Sequence, residues 1–306
     1  MKFMENTKIN FMKFKNIGFA LSSAMALGSL ILLLMGVNLG IDFKGGTAIG
    51  VSFTDDISIE DIRNSLKTVP INNSNIDLSA EEVKYFGSNS DVMIKIKTLE
   101  NEPENFGQLV INHLYSSLND KAPENKNDFI LSLGSVSPKV GSELSGKALW
   151  SVISALVLIL FYISVRFEFR FALGAILALV HDVVITLGIF SLTGFEITLS
   201  TVAAFLTIVG YSLNDTIVIL DRIRENMKSS GTVMFESTIN KSINQSLSRT
   251  LITSLTTLLV IVVLLIYGGE VIRPFSFTML VGVIIGTYSS IYIASALLAT
   301  IYQNSK

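Results

Sequence analysis

Long apolar runs separated by polar segments set the pattern of this chain. They cover about residues 17–39, 148–165, 171–192, 197–220, 247–267 and 275–302. A helix rises 1.5 Å per residue and a hydrocarbon core is roughly 30 Å thick, so runs of this length predict membrane-spanning helices. The last run is the longest and predicts a tilted helix or one that continues past the bilayer. The first follows Lys2, Lys8, Lys13 and Lys15 in a tail of residues 1–16, as a secretory signal would. Its length is that of a true span, and no small-x-small cleavage site closes it, so a retained helix is predicted.

Between the first two runs, residues 40–147 are polar and predict a folded domain. Ile49, Val51 and Phe53 alternate with small or polar residues, a strand signal. Ser58 is placed to cap a helix with Ile59, Ile62, Leu66 and Val69 on one face. A strand between Ile76 and Phe86 comes next, then Val92, Ile94 and Ile96 in alternation. Phe106, Val110, Leu114 and Leu118 mark a second helix, and Phe129, Leu131 and Leu133 a last strand. The order βαββαβ is the ferredoxin-like, α+β plan. The other five runs form a bundle over residues 148–302 with a polar loop at 221–246. Met234, Ile239 and Ile243 in that loop suggest an amphipathic surface helix.

Orientation follows from the basic residues of the short loops. With the N-terminus inside, the cytoplasmic side collects Lys2 to Lys15, Arg166, Arg170, Arg222, Arg224, Lys228, Lys241 and, in the tail 303–306, Lys306; the short outer loops hold only Arg273. Both termini are thus expected in the cytoplasm and the 40–147 domain outside. Composition narrows the chemistry further. Half of the residues are hydrophobic and the net charge is −2, with no basic tract for nucleic acid. Cysteine is absent, which removes disulfides, thiolate catalysis and Cys-based zinc sites. His113 and His181 are the only histidines, too few for a histidine-rich metal site. His113 sits in the second predicted helix and reads as a boundary residue. No cofactor, metal or catalytic residue is expected.

An ionisable group inside hydrocarbon costs roughly 2.5–3.5 kcal/mol on insertion scales and needs a reason to be there. Asp182, beside His181, falls mid-way along the third run, and Asp215 near the cytoplasmic end of the fourth. Stepping back from Asp215 by three or four gives Tyr211, Thr207, Ala204 and Ser200, with Asn214 and Ser212 adjacent. The fifth run carries Gln245, Arg249, Thr253 and Thr256, which places Arg249 at a comparable depth and predicts a pair with Asp215. Two roles fit that pair: pinning two helices together, or exchanging a proton against a competing cation. Asp182 likewise fits either interhelical hydrogen bonding or a proton site. On the last run, Gly282, Gly286 and Ser290 recur every four residues, a small-residue face suited to close helix packing.

These residues resemble a known family. Gly210-Tyr211-Ser212-Leu213-Asn214-Asp215-Thr216, followed by Asp221-Arg222-Ile223-Arg224-Glu225-Asn226, is similar to the signature of SecF proteins of the SecD–SecF export complex, in the RND-type superfamily. So are Gly40-Ile41-Asp42-Phe43-Lys44-Gly45-Gly46-Thr47, His181-Asp182, Ser248-Arg249-Thr250 and Gly286-Thr287-Tyr288-Ser289-Ser290-Ile291. The resemblance spans nearly the whole chain in the family's order. It implies half of an RND-type transporter, in a bacterial plasma membrane, paired with SecD. It further implies association with the SecYEG channel and SecA, and use of the proton-motive force to draw a preprotein outward. It places Asp215 and Arg249 on the proton path. Ala294-Ser295-Ala296 stands where the family has Ala-Ser-Pro, so a proline kink is not expected there. Other readings are half of a small-molecule exporter, a passive scaffold of the translocase, or an aspartyl protease using Asp182 and Asp215. The Gly-x-Gly-Asp context of such proteases is missing.

Overall fold

The computed structural model describes residues 7–71, 74–99, 102–230 and 235–303. Lys2, Met234 and Lys306 lie outside them. In chain order the elements are α1 (Lys15–Leu34), α2 (Ile41–Lys44), β1 (Gly46–Ser52), α3 (Ile59–Ser65), β2 (Val69–Ile71), β3 (Ser74–Ile76), β4 (Glu82–Phe86), β5 (Ser88–Ile96), α4 (Phe106–Ser117), α5 (Lys126–Phe129), β6 (Ile130–Val136), α6 (Pro138–Arg166), α7 (Phe169–Leu192), α8 (Leu199–Ser230), α9 (Phe235–Tyr267), α10 (Gly269–Ser289) and α11 (Ser295–Gln303). The chain divides into a sheet unit, Leu39–Leu149, and a helical unit formed by Met1–Asn38 and Trp150–Lys306.

The sheet unit is built on β1, β4, β5 and β6, all antiparallel, in the order β4-β5-β1-β6. With α3 leading from β1 towards β4 and α4 from β5 to β6, this is the split βαβ, ferredoxin-like arrangement. Alternation explains its core. Ile49 faces Ile94 and Val51 faces Val92 across β1 and β5, so their side chains share one face. All of them are fully buried, against Ile62 and Leu66 after β1 and Val110 and Leu114 of α4. Ser58 Oγ accepts from the Asp61 amide at 3.0 Å and starts α3. His113 has a structural place: its Nε2 is 2.8 Å from the Ser65 carbonyl oxygen, tying α4 to the end of α3.

Two details depart from the sequence reading. The stretch after α3 first forms a separate hairpin, β2–β3, and the sheet strand begins only at Glu82. Phe129 is buried at the end of the short α5, whereas Leu131 and Leu133 of β6 are 46% and 45% exposed. A bulge between Gly50 and Val51 in the β1–β6 register breaks strict alternation, and β6 is an edge strand with one neighbour. Finally, Gly45 and Gly46 turn α2 into β1 with φ of +79° and +137°, and a Cβ on Gly46 would stand 2.5 Å from the Ile96 carbonyl oxygen. Only glycine meets both demands.

Six helices among the described residues are long and apolar enough to cross a membrane. Together with the sheet unit they form a six-helix membrane protein carrying one α+β domain. In the helical unit α10 and its continuation are the centre: 61% of their most apolar window is buried, against 6% for α6. α1 ends at Leu34, short of residue 39, because Gly36 turns the chain at φ +104°. The polar segment 221–246 is mostly helix. α8 runs on to Ser230 and α9 starts at Phe235, so the described part of this segment continues those two helices and forms no separate surface helix. Ile239 and Ile243 are buried in a cluster with Phe11, Ile219 and Ile223, which explains why they are apolar. Ahead of α1, the backbone of Ile9 and Met12 is held by the side-chain oxygens of Asn244 and Asn240 of α9, at 2.9 and 3.0 Å. A π turn at Ser290–Ala294 interrupts the last span, although no proline is present. Ser295 Oγ donates to the Ser290 carbonyl at 3.0 Å across that turn.

Candidate functional site

Two carboxylates are buried inside the helical unit, each with its own set of hydroxyl partners. Asp215 of α8 is 3% exposed, and its Oδ2 accepts from Ser254 Oγ of α9 at 3.2 Å. Ser254 Oγ is 2.7 Å from Thr287 Oγ1 of α10, and Thr287 Oγ1 is in turn 2.7 Å from the Val283 carbonyl oxygen. Asp182 of α7 is fully buried. Its Oδ2 accepts from Ser212 Oγ of α8 at 2.5 Å and Ser289 Oγ of α10 at 2.7 Å, while its Oδ1 is 2.9 Å from His181 Nδ1. No hydrogen bond joins the two carboxylates among the described residues, so they do not form the proton-sharing dyad of an aspartyl protease.

The expected Asp215–Arg249 ion pair is not formed. Arg249 is exposed on α9, and among the described residues no salt bridge engages it. The side chain that does reach Asp215 is Ser254, five residues further along α9. Helical phase is the reason. Ser242, Ser246, Thr250 and Ser254 repeat every four residues and are all buried, whereas Gln245, Arg249 and Thr256 are exposed. One residue along a helix is a rotation of about 100°, so stripes offset by a single position look to different neighbours.

The remaining candidates are dispersed. Thr207 and Asn214 of α8 are exposed, and Thr207 donates to the Ala203 carbonyl at 2.8 Å. The Tyr211 hydroxyl is buried without a partner among the described residues, beside an apolar cluster that includes Ile208 and Met279. Gly282 and Gly286 of α10 lie against α8: a Cβ on Gly282 would stand 2.2 Å from Ile208 Cδ1, and one on Gly286 2.9 Å from Ser212 Cβ. Ser290, the third residue of that row, opens the π turn and donates to the Thr287 carbonyl at 3.0 Å. Ser254 and Thr287 are not among the site residues that the sequence predicts; the four-residue repeat Ser242, Ser246, Thr250 and Ser254 is visible in the sequence, but its burial is not.

Outside the carboxylates, α8 and α9 are pinned to each other towards their adjoining ends. Asn226 Nδ2 donates to Ser242 Oγ and Gln245 Oε1, both at 2.8 Å, and Arg222 Nε donates to the same Gln245 oxygen at 2.8 Å. The described residues contain no cluster of three or more His, Cys, Asp or Glu that could hold a metal ion.

Two family models match the chain: the C-terminal region of the SecD/SecF protein export membrane proteins over residues 117–304, and the SecD/SecF GG motif over residues 30–57. The protein translocase subunit SecF of Calditerrivibrio nitroreducens is 42% identical, with 95% of this chain and 93% of that one covered. That of Rhodothermus marinus is 42% identical over 96% of this chain and 94% of its own, and that of Helicobacter pylori strain 26695 is 39% identical over 96% and 88%. Among solved structures, SecDF of Thermus thermophilus, a translocon-associated membrane protein, matches 99% of this chain with a TM-score of 0.83 and 36% identity. A SecDF in its super-membrane-facing form matches 98% with a TM-score of 0.70 and 36% identity. The chain spans 40% and 39% of the length of those two SecDF chains.

Proposed function

The chain belongs to the SecF family of protein translocase subunits, and on that premise we propose that it pairs with SecD and couples the proton-motive force to preprotein export through the Sec channel. In this reading it sits in the bacterial plasma membrane with both termini in the cytoplasm and the sheet unit outside. SecYEG, SecA and the emerging preprotein are its working partners, and it needs no catalytic site of its own. Exposed polar residues within the spans, Thr207 and Asn214 on α8 and Arg249 and Thr256 on α9, are costly against lipid. They are the face that SecD helices cover.

The observation that carries the proposal is the hydroxyl chain from Asp215 through Ser254 and Thr287 to the Val283 carbonyl. A hydroxyl donates one proton and accepts on its lone pairs. With Asp215 ionised, Thr287 donates to Ser254 and Ser254 donates to Asp215. With Asp215 protonated, the order reverses: Asp215 donates to Ser254, Ser254 to Thr287, and Thr287 to Val283. Each donor is therefore satisfied in both states, and α8, α9 and α10 change the polarity of their connection without stranding a buried group. The charge available to Arg249 changes at the same step. One charge crossing 100 mV is worth about 2.3 kcal/mol, enough to bias two packings of similar energy.

The test is export into membrane vesicles with and without an imposed proton gradient. Asp215→Asn fills nearly the same volume and can still accept from Ser254. It should assemble with SecD at wild-type level and lose gradient stimulation. Normal stimulation would remove Asp215 from the coupling step. Loss of assembly would favour a structural pin between helices instead.

A further inference from the structure

We propose that Asp182 is a positioning residue for the coupling site: bound to α8 and α10 at once, it holds those helices in the register that lets Ser254 and Thr287 meet Asp215. The proposal rests on the coupling role of Asp215 given above. Ser212, which donates to Asp182, stands three residues before Asp215 on α8; Ser289, the second donor, stands two residues after Thr287 on α10. Both hydroxyls converge on one oxygen, Oδ2. A carboxylate oxygen offers two lone pairs, and both are in use, so a slide of α8 along α10 breaks at least one of these bonds. Gly286 removes the slack at the same level, with Ser212 pressed against its Cα face.

Packing alone does not call for an acid here. The side chain is fully buried, and a leucine of similar size would fill the space without the cost of a polar group in hydrocarbon. The Tyr288 hydroxyl of α10 turns to α1, 3.0 Å from the Gly18 carbonyl and 3.1 Å from Ser22 Oγ, and Thr186 Oγ1, one turn along α7 from Asp182, is buried without a partner among the described residues. His181 occupies Oδ1 from the same helix. Asp182 thus has a fixed set of partners on three helices, whereas Asp215 hangs on a chain of hydroxyls that can reverse.

The chain has no cysteine, so Ser254→Cys with Thr287→Cys makes a reporter of this register, the two native oxygens being 2.7 Å apart. In the complex with SecD, the rate of oxidative cross-linking is compared across second-site variants. Asp182→Asn should keep the rate, because its amide oxygen can accept both hydroxyls; Asp182→Leu should slow it at least fivefold and Ser289→Ala at least twofold. Equal rates in all backgrounds would overturn the proposal. Should Asp182→Leu fail to assemble, Ser289→Ala decides. Export without the reporter cysteines gives the second readout: Asp182→Asn should retain gradient stimulation with its pH midpoint in place. Loss of stimulation with intact cross-linking would make Asp182 a proton carrier and overturn its positioning role. If the wild type shows no gradient stimulation, the coupling role of Asp215 fails while the cross-linking result still judges the register.

Discussion

Ser254 of α9 donates to Asp215 of α8 across 3.2 Å, and it is the link through which α10 also reaches that carboxylate. Removing this one hydroxyl therefore separates two roles. Ser254→Ala leaves a protein that folds, since a neutral buried hydrogen bond contributes only about 0.5–1.5 kcal/mol net. It should nonetheless reduce gradient-stimulated export several-fold, because Asp215 loses its reversible partner. Ser254→Thr, which keeps the hydroxyl, should retain more stimulation than Ser254→Ala. Equal export by Ser254→Ala and wild type, measured in energised vesicles, would detach the hydroxyl chain from coupling.

Arg249 gives the complementary case. It is exposed on the helical unit and forms no ion pair within the described residues. Its replacement by Met strands no carboxylate, so the melting temperature of the purified chain should stay within a few degrees of wild type. Gradient stimulation, or assembly with SecD, should fall. A large loss of stability in the chain alone would mean that the arginine has a buried intrachain partner.

The α8–α10 contact makes a steric prediction. A methyl group on Gly286 would stand 2.9 Å from Ser212 Cβ, both on helix backbones that cannot easily give way. Gly286→Ala should destabilise by about 1–3 kcal/mol, the usual range for overpacking. Gly286→Leu should abolish recovery of folded protein. Thermal unfolding in detergent measures the first, and yield after size-exclusion chromatography the second.

Topology is checked by labelling. Ser88 is exposed at the start of β5 and Lys228 is exposed near the end of α8. An impermeant thiol reagent added to intact cells with an accessible plasma membrane surface should modify Ser88→Cys and spare Lys228→Cys. The reverse pattern would invert the proposed orientation.

The sheet unit has an acid-side dependence. The Lys121 ammonium, hydrogen-bonded at 3.0 Å, and the Ser58 hydroxyl hold the Asp61 carboxyl below its ordinary range. A carboxyl lowered in the folded state contributes stability above its unfolded value and loses it as pH falls through the lower folded value. Lys121→Gln should therefore flatten the decline in stability of this unit below about pH 4, the ordinary Asp region. Ser58→Ala should in addition cost about 1 kcal/mol through loss of the α3 cap. Amide hydrogen exchange of α3 against pH reads both effects.

Much of the fold was legible because hydrophobic periodicity and turn chemistry act locally. The six spans follow from run length, and Ile49, Val51, Val92 and Ile94 follow from alternation. The extension of α8 and α9 beyond their apolar stretches was harder to read, since helix ends packed on each other keep polar surfaces and lose the continuous apolar signal. Leu131 and Leu133 misled because β6 is an edge strand with a bulge opposite Gly50 and Val51: Leu133 stands opposite the buried Ile49 and against Gly107 of α4 yet stays 45% exposed. At the candidate site, both acids were visible as charges in apolar runs. Their partners were not, because a serine in a membrane helix is inexpensive and common, and only packing shows which of two adjacent stripes faces inward. Choosing Arg249 over Ser254 weighted charge above helical phase.

The π turn at Ser290–Ala294 has a consequence for how this span tolerates change in length. Such a turn holds one residue more than the α-helical turn it replaces. All positions beyond it are therefore rotated by about 100° from where an unbroken helix would put them. Ala296, Leu298 and Ala299 are fully buried in that rotated frame. Excising a single residue such as Tyr292 would regularise the helix and at the same time swing this buried trio away from its neighbours. The irregularity is thus an insertion that the end of the chain has been fitted around, and the straighter helix would be the worse-packed one.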